Sequence, residues 1–322
     1  MDAAAEDRPR RDASLTVTMQ MRPSDFDRSF SLRYSAIADI VQDMRWRWWD
    51  AHDDELPGLA MQDGLPNVTG TLTRAVTIHT TSVSAMAAAE RKARMTEMVV
   101  RCTPGPVGQH SATFLFEFSL VGADEPLVTA STTMVWIGGS ERSLIGRMLA
   151  RPAPVPQLLH DASQPSPVAC QTGCEHISAV SAELDRLRQL ANNPQWTYEQ
   201  ESPELRLTDE NANQHISSAT FIRLAEEAKF RMGGATAMAP VVAVSMDILK
   251  EAVATDGGAG YVVRAAVRRS EGIVPHVEWC LFTRARDDLD NAEQMLTRVR
   301  LFLSSKGVGR DIAEPEALTP KL

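Results

Sequence analysis

Apolar residues recur at helical spacing in two separate parts of the chain. The first series occupies positions i, i+3, i+4, i+7 and i+11 and consists of Ile37, Ile40, Val41, Met44 and Trp48. The second series has the same spacing and consists of Phe221, Leu224, Ala225, Ala228 and Met232. This spacing places each series on one face of an amphipathic helix. The pattern predicts two long helices that each pack one face against a core.

These two helices belong to an internal repeat. Residues 20–49 align without a gap with residues 204–233, an offset of 204 − 20 = 184. Asp25 falls on Asp209, so each aspartate precedes its helix by the same distance. A common helical register with an aspartate at the same place is hard to obtain by chance. The chain is therefore predicted to contain two copies of one unit.

Segments rich in β-branched and aromatic residues follow each helix, which is typical of strands. The first copy contributes 71–83, 96–103, 112–121 and 127–137, and the second contributes 241–249, 260–269 and 276–286. Residues 291–305 fit either a helix or a last strand. Each copy is predicted as a strand, a turn, one long helix and three or four antiparallel strands, which is an α+β arrangement.

The length of 322 residues suits two domains of ordinary size. The predicted organisation is a flexible N-terminus at 1–14, a first domain at 15–150, a linker at 151–200, a second domain at 201–305 and a tail at 306–322. The linker is rich in Pro, Ser and Gln, and it contains a predicted short helix at 181–191.

Charge and hydropathy exclude two classes of partner. The formal net charge is −9 and no basic stripe is present, which argues against nucleic acid. No apolar run approaches the ~20 residues needed to span a bilayer. The N-terminus carries Asp2, Glu6 and Asp12 and lacks the apolar segment of a secretory signal. We expect a soluble cytoplasmic protein, with an organelle as the open alternative.

Metal binding is not favoured by the cysteines. Four cysteines are too few for a disulfide scaffold of this length. Cys170, Cys174 and His176 have the spacing C-x3-C-x-H, but no second ligand pair follows at zinc-finger spacing. We interpret this stretch as a loop with two free thiols and predict no metal and no cofactor.

The stretch DENANQHISSATF, residues 209–221, places an acid, two amides and a histidine directly before the second helical pattern. Asp209 or Asn211 has two open interpretations, as a helix cap or Asx-turn residue and as a functional group. A single histidine at a helix start, such as His215, is more often structural than catalytic. The residues alone leave these alternatives open.

A strand ending in D-x-D/N, a polar turn with Asn-x-His, and a long helix followed by an antiparallel meander resemble the hotdog fold. The tandem copies resemble the plant and bacterial acyl-ACP thioesterases, whose second domain carries a D-x-D-x-N-Q-H-V-N-N-type segment. The matching text here is D-E-N-A-N-Q-H-I-S-S, and the 4-hydroxybenzoyl-CoA-type thioesterases are similar more loosely. The resemblance implies two tandem hotdog domains, each a curled antiparallel sheet around one long helix, forming an intrachain pseudo-dimer.

The same resemblance implies a catalytic set in the second copy. The family's Asn falls on Asn213, its His on His215, and its Glu on Glu251 within the segment ILKE. The family's catalytic Asp falls on Asn211, which is a departure, because an amide cannot act as a base or nucleophile. Ser217 and Ser218 also replace the family's Asn-Asn pair.

The first copy departs further from the family. It keeps Asp27 at the Asp position, but Ser29, Ser31 and Val83 stand at the Asn, His and Glu positions. The resemblance implies that such a first domain lacks the catalytic machinery and helps to form the acyl pocket. Asp27 is interpreted as a remnant, with a base in a shared site as the alternative.

Thioester hydrolysis needs an activated water, a polarised carbonyl and a stabilised oxyanion. The N-terminus of the helix after His215 would supply N–H groups and a positive dipole end. His215 and Glu251 would act together in general-base fashion, which requires them to lie within hydrogen-bond reach. Asn213 would hold the water or the thioester oxygen.

Three further residues are predicted to bind substrate. Trp46 and Trp48 are expected to line an acyl tunnel, and Arg206 to attract an anionic CoA or acyl carrier protein. The predicted function is hydrolysis of acyl-CoA or acyl-ACP thioesters. The alternatives are a non-catalytic subunit that binds an acyl ligand or supports an assembly, and dehydratase-like chemistry. A homo-oligomer formed by stacking is also open.

Overall fold

The computed structural model describes a set of segments that covers both predicted copies. They are residues 13–26, 32–52, 61–62, 65–66, 69–80, 97–138, 151–152, 155, 157–162, 196–206, 209, 215–249, 252, 260–268, 275–283 and 295–304. The chain divides into two compact units, Met1–Ser178 and Ala179–Leu322. No helix among the described residues is long and apolar enough to cross a membrane.

Among the described residues, the first unit contains one long helix and an antiparallel sheet of five strands, with a sixth, two-residue strand at its side. The helices are α1 (Tyr34–Asp50) and the short α2 (Gln157–Ala162). The strands are β1 (Leu15–Gln20), β2 (Met61–Gln62), β3 (Leu65–Pro66), β4 (Thr69–Thr80), β5 (Glu97–Val107), β6 (Ser111–Leu120), β7 (Val128–Gly138) and β8 (Arg151–Pro152). The sheet order is β1-β5-β6-β7-β4, β8 pairs with β7, and β2 and β3 pair with each other.

Helix α1 packs its apolar face on this sheet. Four residues of the predicted stripe, Ile37, Val41, Met44 and Trp48, are buried. The ring of Trp48 meets Phe114 of β6 edge to face, with 5.1 Å between centroids. Since alternate residues of a strand share a face, Phe116 and Phe118 point the same way as Phe114, and both are buried. The buried face of α1 and the alternate phenylalanines of β6 thus form one apolar layer between the helix and the sheet.

The start of the described chain is also fixed to α1. The indole N–H of Trp48 donates a hydrogen bond to the carbonyl oxygen of Ala13, which is itself buried. Ala13 falls within the N-terminal segment 1–14 that was predicted to be flexible. A buried indole N–H needs an acceptor, and the Ala13 carbonyl supplies it. This hydrogen bond holds the segment before β1 against α1.

The second unit repeats the architecture of the first. Its helices are α3 (Ser218–Arg231) and α4 (Gly234–Met238). Its strands are β9 (Tyr198–Glu201), β10 (Val241–Ile248), β11 (Tyr261–Arg268), β12 (His276–Thr283) and β13 (Met295–Leu303). The order β9-β11-β12-β13-β10 matches that of the first sheet strand for strand. Phe221 of α3 contacts Trp279 of β12, with 6.3 Å between ring centroids.

The prediction of two hotdog domains is confirmed, and the ambiguous segment 291–305 contains a strand, β13. Three short elements, β8, α2 and β9, fall within the stretch 151–200 that was predicted as a linker. Strand β9 pairs with β11 along its whole length, yet its sequence YEQE is too polar and too short to be recognised as a strand. The predicted helix at 181–191 lies outside the described residues.

A ladder of charged residues crosses the face of the second sheet that is opposite α3. The register aligns Glu199, Arg264, Cys280, Arg298 and Asp247 across the five strands. The Asp247 carboxylate accepts hydrogen bonds from Arg298 and Arg300, both at 2.9 Å. Burial opposes ionisation of Asp247, but the two guanidinium groups outweigh it and lower the pKa of Asp247 below its ordinary value.

Helix α3 ends where two glycines follow it. Gly233 has φ 73° and ψ −171°, a conformation that is essentially restricted to glycine. Gly234, which begins α4, also has a positive φ of 56°. At the repeat offset of 184, Gly233 and Gly234 correspond to Trp49 and Asp50, which are still helical in α1. The glycines therefore explain why the second long helix is shorter than the first.

We predict that Gly233→Ala lowers the free energy of unfolding of the second unit by about 1–3 kcal/mol, because alanine is strained at this backbone conformation. No atom lies within 4 Å of the added Cβ, so a clash would not account for the loss. Urea unfolding of the wild type and of Gly233→Ala measures the loss in free energy of unfolding. The matched control is Gly260→Ala, where space is equally open and φ is not in the positive region. Equal effects of the two substitutions would contradict the strain argument.

The charged ladder predicts a pH dependence. A carboxyl with a lowered folded-state pKa contributes stability that is present above its unfolded pKa, about 3.9, and is lost as the pH falls through the folded value. Asp247→Asn removes the carboxylate that accepts from the buried Arg298 and the partly buried Arg300, and it should cost about 3 kcal/mol at pH 7. The difference from the wild type should shrink below about pH 4.

Urea unfolding at pH 7, 5, 4 and 3 checks this pH dependence. The control is Glu199→Gln, since Glu199 pairs with Arg264 in the same ladder but its side chain is 52% exposed. A constant difference between Asp247→Asn and the wild type at every pH would contradict the assignment.

Candidate functional site

A hydrogen-bonded turn around Asp209 precedes α3. The backbone N–H of Asp209 donates to the carbonyl of Arg206 at 2.8 Å, and the carboxylate accepts from the N–H of Arg206 at 2.9 Å. The carbonyl of Asp209 accepts from the N–H of Ser217 at 2.9 Å. This one residue therefore connects the chain that enters the turn with the residue that caps the helix.

The carboxylate of Asp209 also bonds to the side chains of α3. It accepts hydrogen bonds from the guanidinium of Arg223 at 3.1 Å and from the hydroxyl of Thr220 at 3.4 Å. The Asp209 side chain is only 11% exposed, so these bonds are largely shielded from water. The carboxylate bonds back to the N–H of Arg206, three residues earlier, so Asp209 closes the turn and has a structural task.

The first copy has the same turn at the repeat offset of 184. The N–H of Asp25 donates to the carbonyl of Arg22 at 3.0 Å, and the N–H of Arg22 donates to the Asp25 carboxylate at 2.6 Å. The N–H of Arg33 donates to the carbonyl of Asp25 at 2.9 Å, as Ser217 does to Asp209. The two turns therefore share three hydrogen bonds at positions 184 residues apart. Residues that the gapless sequence alignment pairs thus have equivalent places in the structure.

The two helix starts differ in their caps. The hydroxyl of Ser217 accepts a hydrogen bond from the backbone N–H of Thr220 at 3.2 Å, as expected of a serine N-cap. Arg33 occupies the cap position of α1 and makes no side-chain cap bond. Ser217 therefore caps the second long helix with its side chain, whereas Arg33 does not cap the first.

His215 lies between this turn and the first residue of α3. Its side chain is buried, with 8% exposed. The next residue, Ile216, donates its backbone N–H to the carbonyl of Ala252 at 2.8 Å. The chain that follows β10 is thereby attached to the chain that carries His215. At the equivalent place in the first copy, Leu32 forms a bridge with Phe26 inside its own turn.

Of the residues predicted to form the catalytic set, only His215 is described. Asn211, Asn213 and Glu251 lie outside the described residues, and so does Asp27 of the first copy. Their roles stay predictions. The described residue nearest to Glu251 in the chain is Ala252, which is buried and accepts the bond from Ile216.

The predicted substrate-binding residues have contrasting environments. Trp48 is fully buried, and its ring stacks on His52 at 4.3 Å as well as meeting Phe114. Trp46 is half-buried and meets Trp49 edge to face at 5.1 Å. Both rings belong to the packing around α1, as expected for large aromatic side chains. Their contact with an acyl chain stays a prediction.

Arg206 is exposed and already has a partner. Its guanidinium donates two hydrogen bonds to one carboxylate oxygen of Glu204, the shorter at 2.7 Å. The hydrogen bond and the charge of Glu204 raise the pKa of Arg206. An anionic carrier would have to compete with Glu204 for this side chain, although exposed pairs of this kind are weak.

Within the described part of the chain, no group of His, Cys, Asp and Glu side chains is arranged to hold a metal ion. Cys102 and Cys280 are buried free thiols, each on a central strand. The stretch with Cys170, Cys174 and His176 lies outside the described residues.

Sequence reasoning missed the partners of Asp209 on α3. Thr220 and Arg223 follow it by 11 and 14 residues, distances that match no local turn or helical spacing. The only available signal was that both residues lie on the N-terminal half of α3, facing back toward the turn. Their contact depends on how the turn folds over the helix, which a linear pattern does not encode.

Comparison with solved structures finds the same two-domain fold in other proteins. The 12:0-ACP thioesterase from Umbellularia californica is similar with a TM-score of 0.58 and 11% identity, over 91% of this chain and 98% of that one. An acyl-ACP thioesterase from Bacteroides thetaiotaomicron is similar with a TM-score of 0.55 and 10% identity, over 91% and 98% of the two chains. No family model and no curated protein sequence matches. The likeness establishes a shared two-domain fold.

We predict that Asp209→Ala costs about 1.5–3 kcal/mol of unfolding free energy, because it removes a shielded carboxylate that accepts from a guanidinium. Glu227→Gln is the matched control. Glu227 pairs with the same Arg223 at 2.9 Å but is 45% exposed, so its loss should cost below about 0.5 kcal/mol. Urea unfolding of both variants measures the two losses in free energy of unfolding. Similar losses would show that the Asp209 contacts stabilise the fold no more than an exposed ion pair does.

Proposed function

We propose that this protein is an acyl thioesterase that hydrolyses acyl-CoA or acyl carrier protein thioesters at the turn before α3. The observation that carries the proposal is the hydrogen bond from Ile216 to Ala252. Each of these residues is the chain neighbour of a predicted catalytic residue, His215 and Glu251 respectively. The two side chains that must cooperate thus belong to backbone segments that are bonded to each other.

The surroundings of His215 suit a proton-transfer role. It is largely shielded from water, which strengthens electrostatic interactions with a bound carbonyl. It precedes the N-terminus of a 14-residue helix, where backbone N–H groups favour developing negative charge. His215 would take a proton from water as it attacks the thioester carbon, and would return a proton to the departing thiolate.

Asn213 and Glu251 complete the proposed mechanism. Glu251 would orient the imidazole and stabilise its protonated form, and Asn213 would hold the attacking water or the thioester oxygen. Asn211 replaces the acid of the acyl-ACP thioesterases, so the carboxylate in this mechanism comes from Glu251. The similar solved structures from Umbellularia and Bacteroides are described as acyl-ACP thioesterases, which supports acyl thioesters as the substrate class.

Thiol release from short, medium and long acyl-CoA and acyl carrier thioesters tests the proposal. We expect turnover by the wild type and a fall of about 10²–10⁴-fold in kcat/KM for His215→Ala, the usual contribution of a general base. Asn213→Ala and Glu251→Gln should each lower kcat more than they raise KM, because they act on the reacting groups.

The control is His160→Ala, which removes an exposed histidine on α2 of the first unit. It should leave turnover unchanged. A folded wild type without turnover on any member of the panel would favour the non-catalytic alternative. Turnover that survives His215→Ala would place the chemistry elsewhere in the chain.

A further inference from the structure

The turns before the two long helices share their backbone hydrogen bonds. In each copy the aspartate carboxylate accepts from the N–H three residues earlier, at Arg22 or Arg206. In the second copy the carboxylate of Asp209 is also held by α3. It accepts from Arg223 at 3.1 Å and lies 3.4 Å from the hydroxyl of Thr220. Helix α3 thus adds side-chain bonds to a turn that its backbone already closes.

The first copy cannot make these side-chain bonds. At the repeat offset of 184, Ala36 takes the place of Thr220, and the alanine side chain has no donor. Asp39 takes the place of Arg223, and one carboxylate repels another. The first turn nevertheless closes around Asp25. The bonds from α3 are therefore not needed to form the turn, so they reflect a requirement of the second copy alone.

The second copy differs from the first in carrying a histidine after the turn. His215 takes the place of Ser31 at the same offset. The carbonyl of Asp209 accepts from the N–H of Ser217 at 2.9 Å, two residues beyond His215. An aspartate whose carboxylate is fixed to α3 therefore also fixes the chain on which the histidine lies.

Arg223 is the charged member of this arrangement, and it has two carboxylate partners. It donates to Asp209 at 3.1 Å and to Glu227, one helical turn further on, at 2.9 Å. The side chain of Asp209 is 11% exposed and that of Glu227 is 45% exposed. A charge-assisted hydrogen bond that is shielded from water is screened less than an exposed one, and exposed pairs contribute little. The bond to Asp209 is therefore the stronger constraint.

A general base works only when its ring lies within hydrogen-bond reach of the proton that it removes. A misplacement of about 1 Å lowers a rate by about 10²-fold. Catalytic groups are accordingly held by the packing and hydrogen bonds of the residues around them.

We infer that Arg223 is a positioning residue for His215. Through the carboxylate of Asp209 it holds the turn, and with it the chain that carries the histidine, against the N-terminal half of α3. This role rests on the proposed function of His215, and it belongs to a residue outside the predicted catalytic set. The first copy, with Asp39 at the equivalent position and no histidine, has neither the need nor the bond.

Amide hydrogen exchange without substrate tests whether Arg223 holds the turn. In Arg223→Ala the N–H of Ser217, which bonds to Asp209, should exchange about tenfold faster than in the wild type. The N–H of Arg33 is the internal reference, because it makes the equivalent bond to Asp25 in the first copy, and its exchange should not change. Equal exchange of Ser217 in the wild type and in Arg223→Ala overturns the inference, whether or not the protein has turnover.

The matched control is Glu227→Gln. It removes the charge of the exposed partner of Arg223 and leaves the bond to Asp209 in place. Exchange at Ser217 should therefore equal that of the wild type. If Glu227→Gln accelerates this exchange as much as Arg223→Ala does, the turn responds to any change on the surface of α3, and the inference is overturned.

Kinetics separate a positioning role from a purely structural one. On the thioester that the wild type hydrolyses fastest, Arg223→Ala should lower kcat about 10- to 100-fold and change KM less than about threefold, because a displaced base affects the chemical step. Arg223→Lys keeps a charged donor and should recover most of the lost kcat. In an Asp209→Asn background, Arg223→Ala should lower kcat much less, because the arginine acts through that carboxylate. An unchanged kcat in Arg223→Ala, or an equal loss in both backgrounds, overturns the inference.

The two measurements distinguish failure of this inference from failure of the proposed function. A wild type that hydrolyses no thioester, while Ser217 exchanges faster in Arg223→Ala, counts against the thioesterase proposal and supports the hold of Arg223 on the turn. Turnover that depends on His215, combined with unchanged exchange at Ser217, supports the thioesterase proposal and counts against Arg223 alone.

Discussion

Each long helix of this protein depends on an aspartate that closes the turn before it. In the second unit the Asp209 carboxylate accepts from the backbone of Arg206 and from the side chain of Arg223, while its carbonyl accepts from Ser217. Burying backbone N–H and C=O groups without hydrogen bonds costs free energy. A turn whose polar groups bond to one another can therefore lie next to a buried helix end without that cost. The position of His215, and with it the proposed chemistry, follows from this closure.

The two copies share a topology but differ in what they bury. The interior of the first unit contains Arg45, which no described carboxylate pairs with, whereas buried indole N–H groups without an acceptor among the described residues occur in both units, as at Trp136 and Trp279. In the second unit the described charges of the sheet are paired, as with Asp247 between Arg298 and Arg300.

The fold was largely predictable because it depends on periodicity and repetition. Four of the five residues in each helical stripe are buried, as the helical spacing requires, and only Ile40 and Met232 are partly exposed. The predicted strands lie within a few residues of β4 to β7 and β10 to β12. Strand β9 escaped prediction because a four-residue polar edge strand has no distinctive pattern. Strand β13 was ambiguous because LTRVRLF alternates and also spaces its apolar residues as a helix would.

The site was less predictable for a different reason. The motif indicated which residues to consider, but the hydrogen bonds around them join distant positions. Asp209 and Arg223 are 223 − 209 = 14 residues apart, and Ile216 and Ala252 are 252 − 216 = 36 residues apart. Such pairs depend on three-dimensional placement. The burial of Arg45 was equally hidden, since MRWRWW shows two similar arginines and only the fold reveals that one is buried and the other is not.

The charged ladder on the second sheet has a consequence for how its strands find their partners. Glu199, Arg264, Arg298 and Asp247 lie in one row across the strands, with Cys280 between the two central arginines. A slip of one residue in any strand would turn its charged side chain toward the apolar layer beneath α3. A sheet with a shifted register would therefore be less stable than the native one. The row of charges thus favours the native register in a sheet whose edge strand, β9, is only four residues long.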